Sequence, residues 1–235
     1  MTTRVTPFDA VLLLSFGGPE GPEDVVPFLE NVTRGRNIPR ARLEEVGQHY
    51  FLFGGMSPIN QQCRDLVRAL QVELGRNGPP LTVYWGNRNW HPLLADTVRR
   101  MADDGVRRAV AVATSAYSSY SACRQYLDDI DGARAAVGER APAIEKLPPF
   151  WNHPGYIETM AANTREALAR LQPDYARVRL VFTAHAIPSA MAATCDYEVE
   201  LREASSLVAE RAAPERSRLQ WDLVYQSRSG LPTQP

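Results

Sequence analysis

Lysine is almost missing from this sequence: Lys146 is the only one, and the other 25 of its 26 basic residues are arginine. The bias reflects coding composition more than chemistry, yet it leaves nearly every basic contact to a planar guanidinium, which grips carboxylates with two parallel bonds. Net charge is scarce as well. A formal charge of −1 creates no field that would gather nucleic acid or an anionic membrane, so an anionic ligand must be met by local arginine clusters. Only three cysteines occur, Cys63, Cys123 and Cys195; they are far apart, odd in number and form no C-x-x-C pair. That pattern indicates neither a disulfide framework nor a protein zinc site, and it fits a reducing compartment. There is no run approaching the roughly 18 apolar residues of a membrane span, and Met1 to Phe8 lack the basic-then-apolar order of a secretory signal. The expectation is a cytoplasmic chain without a transmembrane segment. What it does hold is 44% apolar and 23% charged residues over 235 positions, enough for one large core or two small ones.

Short β-rich runs alternate with longer helical stretches. Ala10-Val-Leu-Leu-Leu-Ser-Phe16 is apolar on both faces, as a buried parallel strand requires. Further strands are expected at Leu81 to Gly86, Ala109 to Thr114, Arg179 to Ala184 and Trp221 to Gln226. Ser57-Pro58 offers an N-cap and a first-turn proline for a helix running to about Leu74, with Ile59, Cys63, Leu66, Val67 and Leu70 at helical spacing. Pro92 to Asp104 repeats the design, with Leu94, Val98 and Met101 inward and Gly105 placed to end it. Such alternation implies a doubly wound α/β sheet. The proline-rich Leu147 to Pro154 stretch blocks both helix and sheet pairing, so a crossing between lobes is placed there, giving residues 1–150 and 151–235. The second lobe then shows only two strands, fewer than a comfortable sheet holds, and reads as incomplete.

In open α/β sheets ligands bind beyond the carboxyl ends of the strands, so the residues after each strand carry the chemistry. Five segments qualify. Ser15-Phe-Gly-Gly-Pro19 is a tight turn whose glycines admit close backbone approach, but its spacing is not G-x-G-x-x-G and its prolines remove amide donors, which counts against dinucleotides. Gly54-Gly-Met-Ser-Pro58 follows the aromatic Tyr50-Phe-Leu-Phe53 and opens a helix, a place that can receive an anionic group. Trp85-Gly-Asn-Arg-Asn-Trp-His-Pro92 puts Arg88 between two tryptophans, suited to a flat ligand bearing carboxylates. Thr114 to Tyr126 is polar and aromatic; without a G-x-S-x-G elbow it reads as a ligand-lining loop, not a hydrolase site. Thr183-Ala-His-Ala-Ile-Pro188 places His185 at the mouth of a strand, where a histidine has better odds of function than a lone one in a core.

Together, Ser-Phe-Gly-Gly-Pro, Gly-Gly-Met-Ser-Pro-Ile, Gly-Asn-Arg-Asn-Trp-His-Pro, Thr-Ala-His-Ala-Ile-Pro and Tyr-Gln-Ser-Arg resemble, in order and spacing, the motifs of the ferrochelatases, from about Phe8 to Gln226. The style of Gly-Gln-His-Tyr-Phe-Leu-Phe-Gly-Gly is similar to the high-GC Gram-positive branch. The resemblance implies two Rossmann-like lobes of the chelatase type, the second incomplete. It implies insertion of ferrous iron, as substrate, into coproporphyrin III, with protoporphyrin IX as the alternative porphyrin. By the same resemblance His185 faces the porphyrin centre and either binds the incoming metal or accepts a pyrrole proton. Arg34, Arg36, Ser57 and Arg88 are the candidates for porphyrin carboxylates, and Phe16, Tyr50 and Tyr126 align near the ring.

Departures from the family pattern set further expectations. Phe16 stands where some members place a tyrosine and cannot bind a metal, and Asn89 replaces an aromatic residue. The family continues beyond the Gln-Ser-Arg strand through a histidine-glutamate motif, whereas here Ser-Gly-Leu-Pro-Thr-Gln-Pro235 follows Arg228. The chain is therefore expected to bind porphyrin weakly, to insert metal poorly or not at all, and to expose an apolar face that favours aggregation or dimerisation; the competing reading is a truncated, non-catalytic pseudoenzyme that only holds porphyrin or haem. Three scattered cysteines cannot supply the four ligands of the [2Fe-2S] cluster that some branch members hold, so no cluster is expected.

Overall fold

The computed structural model describes residues 7–171, 178–213 and 219–227. Arg228 and everything after it, including the terminal segment weighed above, lie outside the described residues. The chain divides into two compact units: residues up to Thr114 with Gln125–Leu147, and Ser115–Arg124 with the residues from Pro148 onward.

The first unit is built on β1 (Ala10–Ser15), all six of whose residues are buried. It lies between β2 (Thr82–Asn87) and β3 (Arg108–Ala113), and β4 (Ala143–Lys146) completes a parallel sheet of order β2-β1-β3-β4. Ala10 pairs with Thr82 on one side and Ala109 on the other, so the three carboxyl ends stand level. The unbroken apolar run of β1 follows from coverage of both faces. On one face Val11, Leu81 and Val83 pack against Val67, Leu70 and Leu74 of α3 (Ile59–Asn77). On the other, Leu12, Leu14, Ala109 and Ala111 meet Leu94, Val98 and Met101 of α4 (Leu94–Asp103) and Ile130 and Ala133 of α5 (Tyr126–Val137). The inward face expected for α4 is thus the buried one, while Leu66 of α3 stays partly exposed because the sheet takes only the Cys63–Val67–Leu70 side.

Two boundaries differ from the sequence expectation by a residue or two. Pro58 takes the cap position of α3, yet the Ser57 hydroxyl still accepts from the Ile59 N–H at 3.4 Å, the bond a serine N-cap would make. Helix α4 starts at Leu94, because the Pro92 carbonyl is spent on the Asn87 N–H at 2.7 Å. Gly105, at φ +80°, ends α4 in the left-handed conformation that glycine adopts freely. Before the sheet's second strand come α1 (Val25–Val32) and α2 (Arg40–Phe51).

In the second unit β5 (Arg179–His185) pairs in parallel with β6 (Gln220–Gln226) over seven residues, joined through α8 (Tyr197–Ala212) and preceded by α6 (Pro154–Leu171); a single turn, α7 (Ser189–Ala192), follows β5. Its core is Ile157, Ala204 and Val208, with Tyr117, Tyr156 and Phe182 packed against them. Register is held at the strand start by Arg179, whose guanidinium grips both carboxylate oxygens of Asp222, Nη2 to Oδ1 at 2.7 Å. Those hydrogen bonds hold the Asp222 carboxyl below its ordinary value. A lowered carboxyl stabilises the fold above its unfolded-state pKa and loses that contribution as pH falls through the folded value. Asp222→Asn is therefore expected to flatten the loss of thermal stability between about pH 5 and pH 2 relative to the parent chain, measured by circular-dichroism melts. Among the described residues no helix is long and apolar enough to cross a membrane.

Candidate functional site

The order β2-β1-β3-β4 reverses direction between β1 and β3, the place where doubly wound sheets hold ligands. There Thr114 Oγ1 donates to Ser15 Oγ at 3.1 Å, and the Tyr126 hydroxyl lies against Thr114. Tyr126 is only 6% exposed, and burial pushes its phenol up to about 12. It thus closes the top of the first unit's core.

The turn after β1 and the turn after β2 are sewn together by polar groups. Asn60, fully buried, donates to the carbonyls of Gly18 and His91 at 3.2 and 3.1 Å. Asn87 donates to Asn60 Oδ1 at 3.2 Å and to the His91 carbonyl at 3.0 Å, while the Arg88 and Asn89 amides donate to Ser15 and Phe16. Gly17 sits at φ +79°, with space for a Cβ only 2.9 Å from that of Asn87, so the close approach read from the sequence is used to lock one turn onto another.

This bracket presents an aromatic set. Phe28 of α1 receives Phe16, Tyr50 and Trp90 edge-on at centroid distances of 6.2, 6.0 and 6.3 Å. Four separate segments meet there, with Phe16 39% exposed at the rim. Burial raises the Tyr50 phenol. Beyond Tyr50, Leu52 and Phe53 stand 78% and 79% exposed, and Met56 is exposed too. Of this cluster the sequence reading named Phe16 and Tyr50 but missed Phe28 and the two asparagines; an asparagine in the first turn of an amphipathic helix, on its apolar side, was the available signal.

The four carboxylate-binding candidates do not converge. Arg34 and Arg88 line one cleft of about 340 Å³ with Asn31, Asp128 and Asp129. Ser57 lines a different hollow of about 430 Å³, whose cation is Arg64, paired to Glu20 and stacked 5.6 Å over Trp85. Arg36 is exposed and lines neither. Arg64 was missed by sequence, although it lies seven residues past Ser57 and so on the same helical face.

Arg88 is committed to Asp129, Nε to Oδ2 at 3.2 Å. Burial nevertheless raises the Asp129 carboxyl above its ordinary value, with the guanidinium only partly offsetting it. An acid raised in this way favours the folded state when protonated and loses that contribution as pH rises through its folded value. Arg88→Ala removes the offset, so the Asp129 titration is expected to move further up, followed by carboxyl carbon shifts; a downward move would mean that the pair is not formed.

In the second unit His185 ends β5 with its imidazole exposed, Nδ1 lying 2.8 Å from the Ala186 carbonyl oxygen. Tyr197, opening α8, donates to the His185 carbonyl at 3.1 Å. Its ring meets Tyr117 edge-on at 6.3 Å, and Tyr117 and Tyr156 share a hydroxyl bond of 3.2 Å; burial raises the phenols of Tyr117 and Tyr197. Glu200, 7% exposed, accepts from the Ser118 N–H and hydroxyl at 2.5 Å each. The Thr114 to Tyr126 segment is therefore anchored at Ser118 rather than loose, and it continues as a π-helical turn, Tyr120–Gln125, into α5. All three cysteines are free, Cys63 buried and Cys123 and Cys195 partly so.

Comparison with known proteins agrees with this arrangement. The ferrochelatase family model matches residues 8–234. A ferrochelatase of Rhodopirellula baltica is 53% identical over 99% of this chain and 65% of its own length. Coproporphyrin III ferrochelatases of Mycolicibacterium vanbaalenii and Streptomyces coelicolor are 53% and 50% identical, over 97% and 98% of this chain and 67% and 65% of theirs. The chain thus spans about two thirds of the length of these curated relatives. With a family match along nearly the whole chain and a parallel sheet whose strand-end turns carry the family motifs, the chain belongs to the ferrochelatase family.

Proposed function

We propose that this chain serves the insertion of ferrous iron into a porphyrin carrying carboxylates, coproporphyrin III before protoporphyrin IX, with His185 as the group that receives a pyrrole proton or meets the metal. The observation that carries the reading is the exposed imidazole at the carboxyl end of a parallel strand. Two pyrrole N–H protons must leave as the metal enters, and a neutral imidazole is a competent acceptor near neutral pH. The flat macrocycle calls for apolar, aromatic surface, which Phe16, Tyr50 and Trp90 offer around the buried Phe28. Its carboxylates call for guanidinium and hydroxyl donors. The Ser57–Arg64 hollow is the better supported pocket for one of them, since the acidic partner of its arginine, Glu20, is exposed, and Arg34 is preferred to Arg88 in the other cleft because Asp129 already occupies Arg88. Several relatives bear the name coproporphyrin III ferrochelatase, which favours that porphyrin.

The test is zinc or anaerobic ferrous iron insertion into coproporphyrin III by the purified chain, followed by absorbance. Slow conversion of the free-base spectrum to the metalloporphyrin spectrum is expected. Porphyrin binding with no metal insertion at any metal concentration would instead make this chain a binder.

A further inference from the structure

The His185–Ala186 peptide is gripped from both sides. Its carbonyl accepts from Tyr197 Oη at 3.1 Å, and its N–H donates to the Gln226 carbonyl at 2.7 Å. The following carbonyl, that of Ala186, lies 2.8 Å from His185 Nδ1. A carbonyl oxygen can only accept, so a hydrogen bond at that distance requires the proton to sit on Nδ1. The lone pair then belongs to Nε2. Which nitrogen of a histidine reacts is set by the bond made by the other. Here that bond closes over the His185–Ala186 peptide onto the carbonyl of the next one, and the enclosed peptide is held by two neighbouring elements, α8 through Tyr197 and β6 through Gln226.

Tyr197 is itself well held. Its ring packs edge-on against Tyr117, which bonds to Tyr156 on α6, and one turn further along α8 Glu200 fastens Ser118. We propose that Tyr197 is a positioning residue for His185: its hydroxyl fixes the His185 backbone so that the imidazole stays in the Nδ1–H form and offers Nε2 as the single reactive nitrogen. This rests on the reading of His185 as the reacting group; the tautomer itself does not.

The experiment is long-range proton–nitrogen correlation on the full chain labelled at histidine nitrogens, recorded where the imidazoles are neutral. His185 is assigned by its disappearance in His185→Gln. In the parent chain His185 is expected to show a protonated Nδ1 and an unprotonated Nε2. In Tyr197→Phe, which keeps the ring and its packing, the two nitrogens are expected to move toward averaged shifts. Metal insertion should then fall about tenfold in kcat, with KM for porphyrin changed by less than about twofold, as for other groups that orient a reacting histidine. A parent His185 carrying its proton on Nε2, or a Tyr197→Phe spectrum unchanged from the parent, overturns the proposal. An unchanged kcat despite the averaged shifts overturns the positioning role. Full turnover in His185→Gln would instead remove the reading of His185 as the reacting group, with the tautomer result unaffected, so the two failures are separable.

Discussion

His185→Ala is expected to lower metal insertion by about a hundredfold or more while porphyrin affinity stays within about threefold of the parent. A positioned proton acceptor contributes roughly 10²- to 10⁴-fold, or about 3 to 5 kcal/mol of barrier at about 1.4 kcal/mol per factor of ten. Binding, by contrast, is proposed to draw on the aromatic set around Phe28 and on the arginine-lined clefts, none of which the substitution touches. Folding should hardly register it. The imidazole is exposed and its ring makes one bond, to the adjacent residue's carbonyl, so the change belongs with surface substitutions worth within about 0.5 kcal/mol. Initial rates of zinc insertion into coproporphyrin III, set beside fluorescence quenching by porphyrin alone, separate the two quantities. A variant that turns over within about threefold of the parent would exclude His185 as acceptor and metal ligand alike. Equal losses in affinity and rate would move it to substrate binding.

The strands that carry the candidate site were legible because their signal is local. β1, with six buried residues, reads as an apolar run whichever partners it has, and β2, β3, β5 and β6 were each read within about a residue or two of their bounds. β4 was not, because a four-residue Ala-Ile-Glu-Lys edge strand is neither long nor apolar. The site was legible one residue at a time but not as a whole. Pattern reading could select Arg88 and Ser57 as anion contacts, and the family resemblance added Arg34 and Arg36; only the path of α1 and α3 decides that Ser57 opens a separate hollow beside Arg64. Tyr126 shows the same limit from the other side. Its place in a polar, aromatic stretch suggested a ligand-lining residue, whereas the π-helical turn before α5 rotates it into the core.

Glu200→Ala is expected to cost about 3 kcal/mol of stability, the largest single loss predicted for the second unit. The carboxylate is 7% exposed, and burying it would be prohibitive without compensation. Compensation comes from three sources. The Ser118 amide and hydroxyl both donate to it at 2.5 Å, and it lies in the first turn of the sixteen-residue α8, where the helix favours negative charge. Hydrogen bonds to a charged group contribute about 1.5 to 3 kcal/mol each, and truncation leaves the Ser118 N–H without its acceptor. Urea unfolding should show the loss as a lower midpoint with an unchanged slope. Glu200→Gln, which keeps the volume and one acceptor oxygen, should recover roughly half. The change should also reach the reaction: Ser118 adjoins Tyr117, Tyr117 supports Tyr197, and Tyr197 holds the His185 carbonyl. In the double variant Glu200→Ala, Tyr197→Phe the losses in kcat are therefore expected to be less than additive, because both act through the same peptide. Strict additivity would mean that Glu200 stabilises the fold without any hold on the histidine.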